Sequence, residues 1–155
     1  MITLTLVRHA KSDWSDGRLA DHDRPLNPRG ARNAPMMARR CADVGLEVQR
    51  ILSSTALRAR TTAAAFGTEL GVPVELDEGL YHASGRQLLA KAIGAAVPSV
   101  MIVAHDPGLS GLAYDLSDGR IPHMPTCAVA VFTWNLDFWR NTMPPADAFS
   151  YDTPR

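Results

Sequence analysis

This 155-residue chain has little cysteine, little lysine and no net charge. Its two cysteines, Cys41 and Cys127, provide neither a disulfide framework nor a CxxC metal pattern, and are expected as small buried hydrophobes in a reducing compartment. Lys11 and Lys91 are the only lysines among 16 cations, a bias that genomic base composition explains as readily as function does. Sixteen acidic residues balance those cations, so no global field points to nucleic acid or to an anionic membrane. No apolar run approaches the 18 residues or so of a membrane span, and residues 1–7 lack the basic n-region of a signal peptide. A soluble, cytoplasmic protein is expected, without nucleic-acid or membrane partners.

What is present is an alternation. Runs rich in apolar and β-branched residues at Ile2–Val7, Val48–Ser53, Val72–Leu76, Ser99–Ala104 and Ala128–Trp134 read as strands. Between them Pro28–Val44, Thr55–Leu70, Gly85–Ala96 and Leu109–Leu116 have helical character. Asn27 and Pro28 supply a start signal for the first, and Gly71 a stop signal for the second. Strands alternating with helices predict an α/β domain with a mostly parallel sheet covered on both faces. One domain over 1–155 is expected, its core at about 2–134, with residues 137–155 as a loosely attached surface tail.

Functional groups in such sheets gather where strands hand over to loops. Ile2–Val7 runs into Arg8 and His9, Val48–Ser53 leads to a helix carrying Arg58, and Ser99–Ala104 runs into His105. A parallel sheet brings these ends to one edge. Planar guanidinium groups match a phosphoryl dianion through paired hydrogen bonds, and a neutral imidazole beside them can attack phosphorus. Arg8 and Arg58 therefore read as an anion grip, His9 as a nucleophile, and His105 as a second donor to the phosphoryl oxygens. Taken singly, each could be a surface cation or a satisfied core histidine. Their joint placement at strand ends favours a site. His22, His82 and His123 have no zinc-type spacing and are expected in structural roles. Trp14, in one loop with Ser12, stands equally for a pocket entrance or for packing.

The segments "LVRHAKSDW", "DRPLNPRG", "SSTALRARTTA" and "VAHDPGLS", in this order, closely resemble the histidine phosphatase superfamily, in particular its small SixA-like phosphohistidine phosphatase branch. The resemblance runs over residues 2 to about 134. It implies a three-layer α/β/α sandwich and a phosphatase without metal or other cofactor. His9 then matches the phosphorylated nucleophile, Arg8 and Arg58 the phosphate-binding arginines, His105 the second pocket histidine, and Arg24 a further basic residue near the phosphate. A leaving-group acid is placed at Glu78 within "LDEGLY", with Asp77 as the alternative. Asp106 stands where relatives commonly carry asparagine; it is either an anion close to the phosphate or, the preferred reading, a cap on the following helix.

The Arg58–His105 interval of 47 positions is filled by the expected helices and strands, which leaves no room for a helical lid. An open pocket suits a phosphoryl group displayed on a protein, most of all phosphohistidine. The alternatives are a small-metabolite, sugar-phosphate phosphatase and a non-catalytic module that binds phosphate or a phosphoprotein.

Overall fold

A computed structural model describes the protein from Met1 to Arg155. Its six-stranded sheet comprises β1 (Ile2–Arg8), β2 (Arg50–Ser53), β3 (Val74–Leu76), β4 (Ser99–Ala104), β5 (Val129–Trp134) and β6 (Ala148–Asp152). The spatial order is β3-β2-β4-β1-β5-β6. β3, β2, β4 and β1 are parallel, while β5 runs antiparallel to β1 and β6 antiparallel to β5. The central strands β1 and β4 are buried along almost their whole length because helices cover them on both sides.

Helices α1 (Pro28–Asp43) and α2 (Leu57–Leu70) cover one face, where Met37, Ala63 and Phe66 pack on Ile51, Met101 and Val103. On the other face, α3 (Gly85–Gly94) and α4 (Gly108–Leu116) set Leu88, Leu109 and Leu112 against Leu4, Leu6 and Ile102. This is the expected three-layer sandwich. The helix limits follow local chemistry. Asn27 caps α1 by accepting from the Gly30 amide at 2.8 Å, and Gly71 closes α2 in the left-handed region at φ 69°. Ser84 and Gln87 form a reciprocal capping box at the start of α3. Cys41 and Cys127 are buried free thiols, which burial pushes up to about 11 and about 12. No helix is long and apolar enough to cross a membrane.

The C-terminal residues differ from expectation. They do not hang loosely: β6 pairs along its length with β5, and Phe149 packs against Phe132 with ring centroids 6.0 Å apart. The Trp134 indole donates to the Pro144 carbonyl at 2.9 Å, and the Trp139 indole to the Val97 carbonyl at 2.7 Å. The stretch between β5 and β6 is thus tied down by tryptophan N–H groups that burial obliges to find acceptors.

Gly30 fixes the inside of the fold near the C-terminal end of β1. A Cβ there would stand 2.1 Å from the Lys11 carbonyl oxygen, so only glycine lets α1 approach the loop that follows His9.

Candidate active site

Register levels three strand ends. Arg8 is opposite Ala104, and Ser53 is opposite Val103, so the residues just beyond β1, β2 and β4 emerge side by side. The His9 amide donates to the Ala104 carbonyl at 3.1 Å, and the Ser54 amide to Val103 at 3.0 Å. His9 and His105 consequently face each other with ring centroids 5.1 Å apart. Arg58 enters from the first turn of α2 and is buried, whereas Arg60, two residues on, is exposed. Thr62 joins α2 to the loop after β1: its hydroxyl accepts from the Ala10 amide at 3.0 Å and donates to the Arg58 carbonyl at 2.8 Å.

These elements enclose a pocket of about 150 Å³. Arg8, His9, Arg24, Arg58 and His105 all line it, with Lys11, Ser12, Trp14, Asp106 and Thr126. The five positively charged or imidazole side chains expected from the sequence therefore meet in one place.

The state of His9 follows from a single contact. Its Nδ1 lies 2.7 Å from the Ala10 carbonyl, which can only accept, so Nδ1 carries the proton and Nε2 keeps its lone pair. Burial lowers the His9 pKa to about 4, and the nearby Arg58 and Arg8 guanidinium groups add to that effect. Burial likewise lowers His105 to about 3, with His9 and Arg58 contributing. Its Nε2 is 2.8 Å from the Ser54 hydroxyl, and its Nδ1 is buried with no partner.

The arginines are anchored at their tips. Arg58 donates from Nη1 to the Asp21 carbonyl at 2.7 Å and from Nη2 to the Asp21 carboxylate at 2.9 Å. Arg8 donates from Nη1 to the Met124 carbonyl at 3.0 Å. In both residues Nε is buried and has no partner. Only four buried side-chain polar atoms in the protein lack a partner, and three of them belong to Arg8, Arg58 and His105. Buried polar atoms without partners are costly, and their concentration around one pocket suits it to a ligand that accepts hydrogen bonds. The Nε side edge of a guanidinium is the edge that pairs with two oxygens of a phosphoryl group.

Asp21, to which sequence reading assigned no role, is the hub of the arrangement. It accepts from Arg58, from Arg24 Nε at 3.1 Å and from the Tyr81 hydroxyl at 2.6 Å. The Tyr81 hydrogen bond above all, with the two guanidiniums, holds its carboxyl well below the usual carboxylate range. The motif "DHDRP" carried a signal for it: an acidic residue three positions before an arginine in a short helical turn, here Asp21–Asp23. Arg24 also donates to the Ser12 hydroxyl at 2.7 Å, and its guanidinium carbon lies 3.4 Å from the centroid of the Trp14 ring.

Asp106 combines both roles weighed for it. Its carboxylate caps α4, accepting from the Ser110 amide at 2.9 Å and the Ser110 hydroxyl at 2.7 Å. The same group lines the pocket, 3.6 Å from Arg8 Nη1 and 3.6 Å from His123 Nδ1. His22 contacts the Thr55 hydroxyl at 2.8 Å, and His82 stacks on Tyr81. The structure does not bring Glu78 to the pocket: it is exposed on the short turn Glu78–Leu80. Asp77 is paired with Lys91 at 2.9 Å and accepts from the Gly79 amide.

The family model of the histidine phosphatase superfamily (branch 1) matches residues 4–84. A relative from Mycobacterium leprae, the uncharacterised protein ML1117, is 38% identical over 96% of this chain and 100% of its own length. Phosphohistidine phosphatase SixA of Escherichia coli is 30% identical, with 83% of each chain covered. Among solved structures, a candidate SixA phosphohistidine phosphatase from Agrobacterium tumefaciens superposes with a TM-score of 0.82 at 27% identity, covering 99% of both chains. A SixA complexed with tungstate shares the fold, with a TM-score of 0.74 at 23% identity. The chain belongs to branch 1 of the histidine phosphatase superfamily and is a SixA-like histidine phosphatase.

Proposed function

We propose that this phosphatase hydrolyses phosphohistidine displayed on a protein, through a covalent phospho-His9 intermediate and without a metal ion. The observation that carries the reading is His9 itself: buried, uncharged, with Nδ1–H held by Ala10 and Nε2 free. In the first step Nε2 attacks phosphorus, and the bond from phosphorus to the substrate imidazole breaks. The departing nitrogen takes a proton from solvent. In the second step water attacks phospho-His9, inorganic phosphate leaves, and His9 regains its lone pair. The Nε edges of Arg8 and Arg58, with His105 and Arg24, are suited to the charge on the equatorial oxygens in both steps.

Pocket size supports a protein substrate. A volume of about 150 Å³ is small beside the several hundred Å³ of an ordinary metabolite site, so it accommodates the phosphoryl group and little more. Between Arg58 and His105 the chain forms only the rest of α2, β3, the Glu78–Leu80 turn, α3 and β4, with no helix over the pocket. Remote binding energy on a small metabolite has few residues to come from. The similarity to Escherichia coli SixA supports the same substrate class.

The test compares kcat/KM for a phosphohistidine peptide, a phosphoserine peptide, sugar phosphates and nitrophenyl phosphate, with and without chelator. Phosphohistidine is expected to lead, turnover to survive chelation, and His9→Ala to be inactive. A sugar phosphate that outpaces every phosphopeptide, or activity lost with chelator, overturns the reading.

A further inference from the structure

We infer that Trp14 is a specificity-determining residue, a stacking platform at the pocket mouth for the aromatic leaving group of the substrate. The inference rests on the phosphohistidine reading and extends it from the phosphoryl group to the ring that carries it.

Three observations bear on Trp14. It lines the phosphate pocket yet is 70% exposed, unlike the other tryptophans, which pack against the core. One face of its indole is covered by the Arg24 guanidinium at 3.4 Å. The support beneath it is fixed: Arg24 is tied to Ser12 and Asp21, the Asp13 amide donates to the Pro25 carbonyl at 2.8 Å, and Ser12 and Leu26 form a β-bridge. A large aromatic ring is thus held in place on one side while the rest of it stands in solvent beside the site.

Packing does not account for that exposure, and steadying Arg24 requires only the covered face. The pocket admits the phosphoryl group alone, so the leaving group must rest at the mouth, where Trp14 stands. An imidazole gains by stacking on indole. As the phosphorus–nitrogen bond breaks and the departing nitrogen takes up its proton, the ring leaves as a neutral imidazole and keeps its stacking contact with the indole face. The contact is made with the bound substrate and kept as the bond breaks, so it lowers KM and raises kcat/KM with little effect on kcat.

Inorganic phosphoramidate separates this role from mere support of Arg24, because it has the same phosphorus–nitrogen bond and no ring. In Trp14→Ala, kcat/KM for the phosphohistidine peptide is expected to fall about five- to tenfold, the range of one aromatic contact. Phosphoramidate hydrolysis and inhibition by inorganic phosphate should change less than twofold, and Trp14→Phe should recover most of the loss. Equal losses on both substrates, or no loss on either, overturn the platform and leave the function reading intact. A wild-type enzyme that prefers phosphoserine to phosphohistidine removes both.

Discussion

Asp21 grips Arg58 twice, through its carbonyl at 2.7 Å and its carboxylate at 2.9 Å, and so leaves the guanidinium free only along its Nε side. The anchor aims the arginine and also balances a buried cation. Because Asp21 is itself part-exposed, Asp21→Ala is expected to cost about 1–2 kcal/mol, less than a fully buried pair would. Urea denaturation measures it. The loosened arginine should also raise KM for phosphopeptide more than it lowers kcat, and inorganic phosphate should stabilise the variant less than the wild type.

His9 and His105 should titrate far below an ordinary histidine, near 4 and 3 in place of 6.5. NMR of the imidazole resonances checks this directly, and saturating phosphate should raise both midpoints by placing an anion beside the rings. The sign for stability follows. Between these values and 6.5 the unfolded chain binds protons that the folded chain refuses, so stability is complete above about pH 6.5 and falls as the pH drops toward 4. Thermal melts from pH 7 to pH 5 should show the decline, flattened in His9→Gln.

Asp106 sets an anion 3.6 Å from Arg8 in a pocket lined by three arginines, while capping α4. Asp106→Asn keeps the cap and removes the charge. Inhibition by inorganic phosphate should tighten about threefold, the worth of a part-exposed charge pair, with little change in melting temperature. Asp106→Ala loses the cap as well and should be less stable by about 1 kcal/mol.

Glu78→Gln is expected to leave phosphohistidine turnover within twofold, since the residue is exposed and a departing imidazole can take its proton from water. Measuring the same variant on a phosphoserine peptide decides the acid role. A loss confined to phosphoserine supports it; small, equal changes on both substrates remove it.

The strand ends were legible because β1 and β4 are runs of apolar and β-branched residues whose interruption by Arg8 and His105 stands out in the chain. The meeting of Arg8, His9, Arg24, Arg58 and His105 followed once those strands were parallel. Asp21 left only the local hint of an acid three residues before Arg24, and its bond to Tyr81, spanning 60 residues, left no local pattern at all. β6 escaped for another reason. It is a half-exposed edge strand after two prolines, and its partner β5 supplies the order that its own composition does not. Propensity placed the start of α2 two residues early, at Thr55, whereas the Ser54 hydroxyl accepts from the Ala56 amide and delays the first turn to Leu57.

Gly30 carries no functional group, yet its missing methyl is a condition of the chemistry. The Lys11 carbonyl rests where that methyl would be, two residues beyond His9. Any side chain at this point must push either α1 outward or the His9 loop inward. A screen for inactive variants should therefore recover Gly30 beside the histidines and arginines, as a folded protein in which every reacting group is present but misaligned.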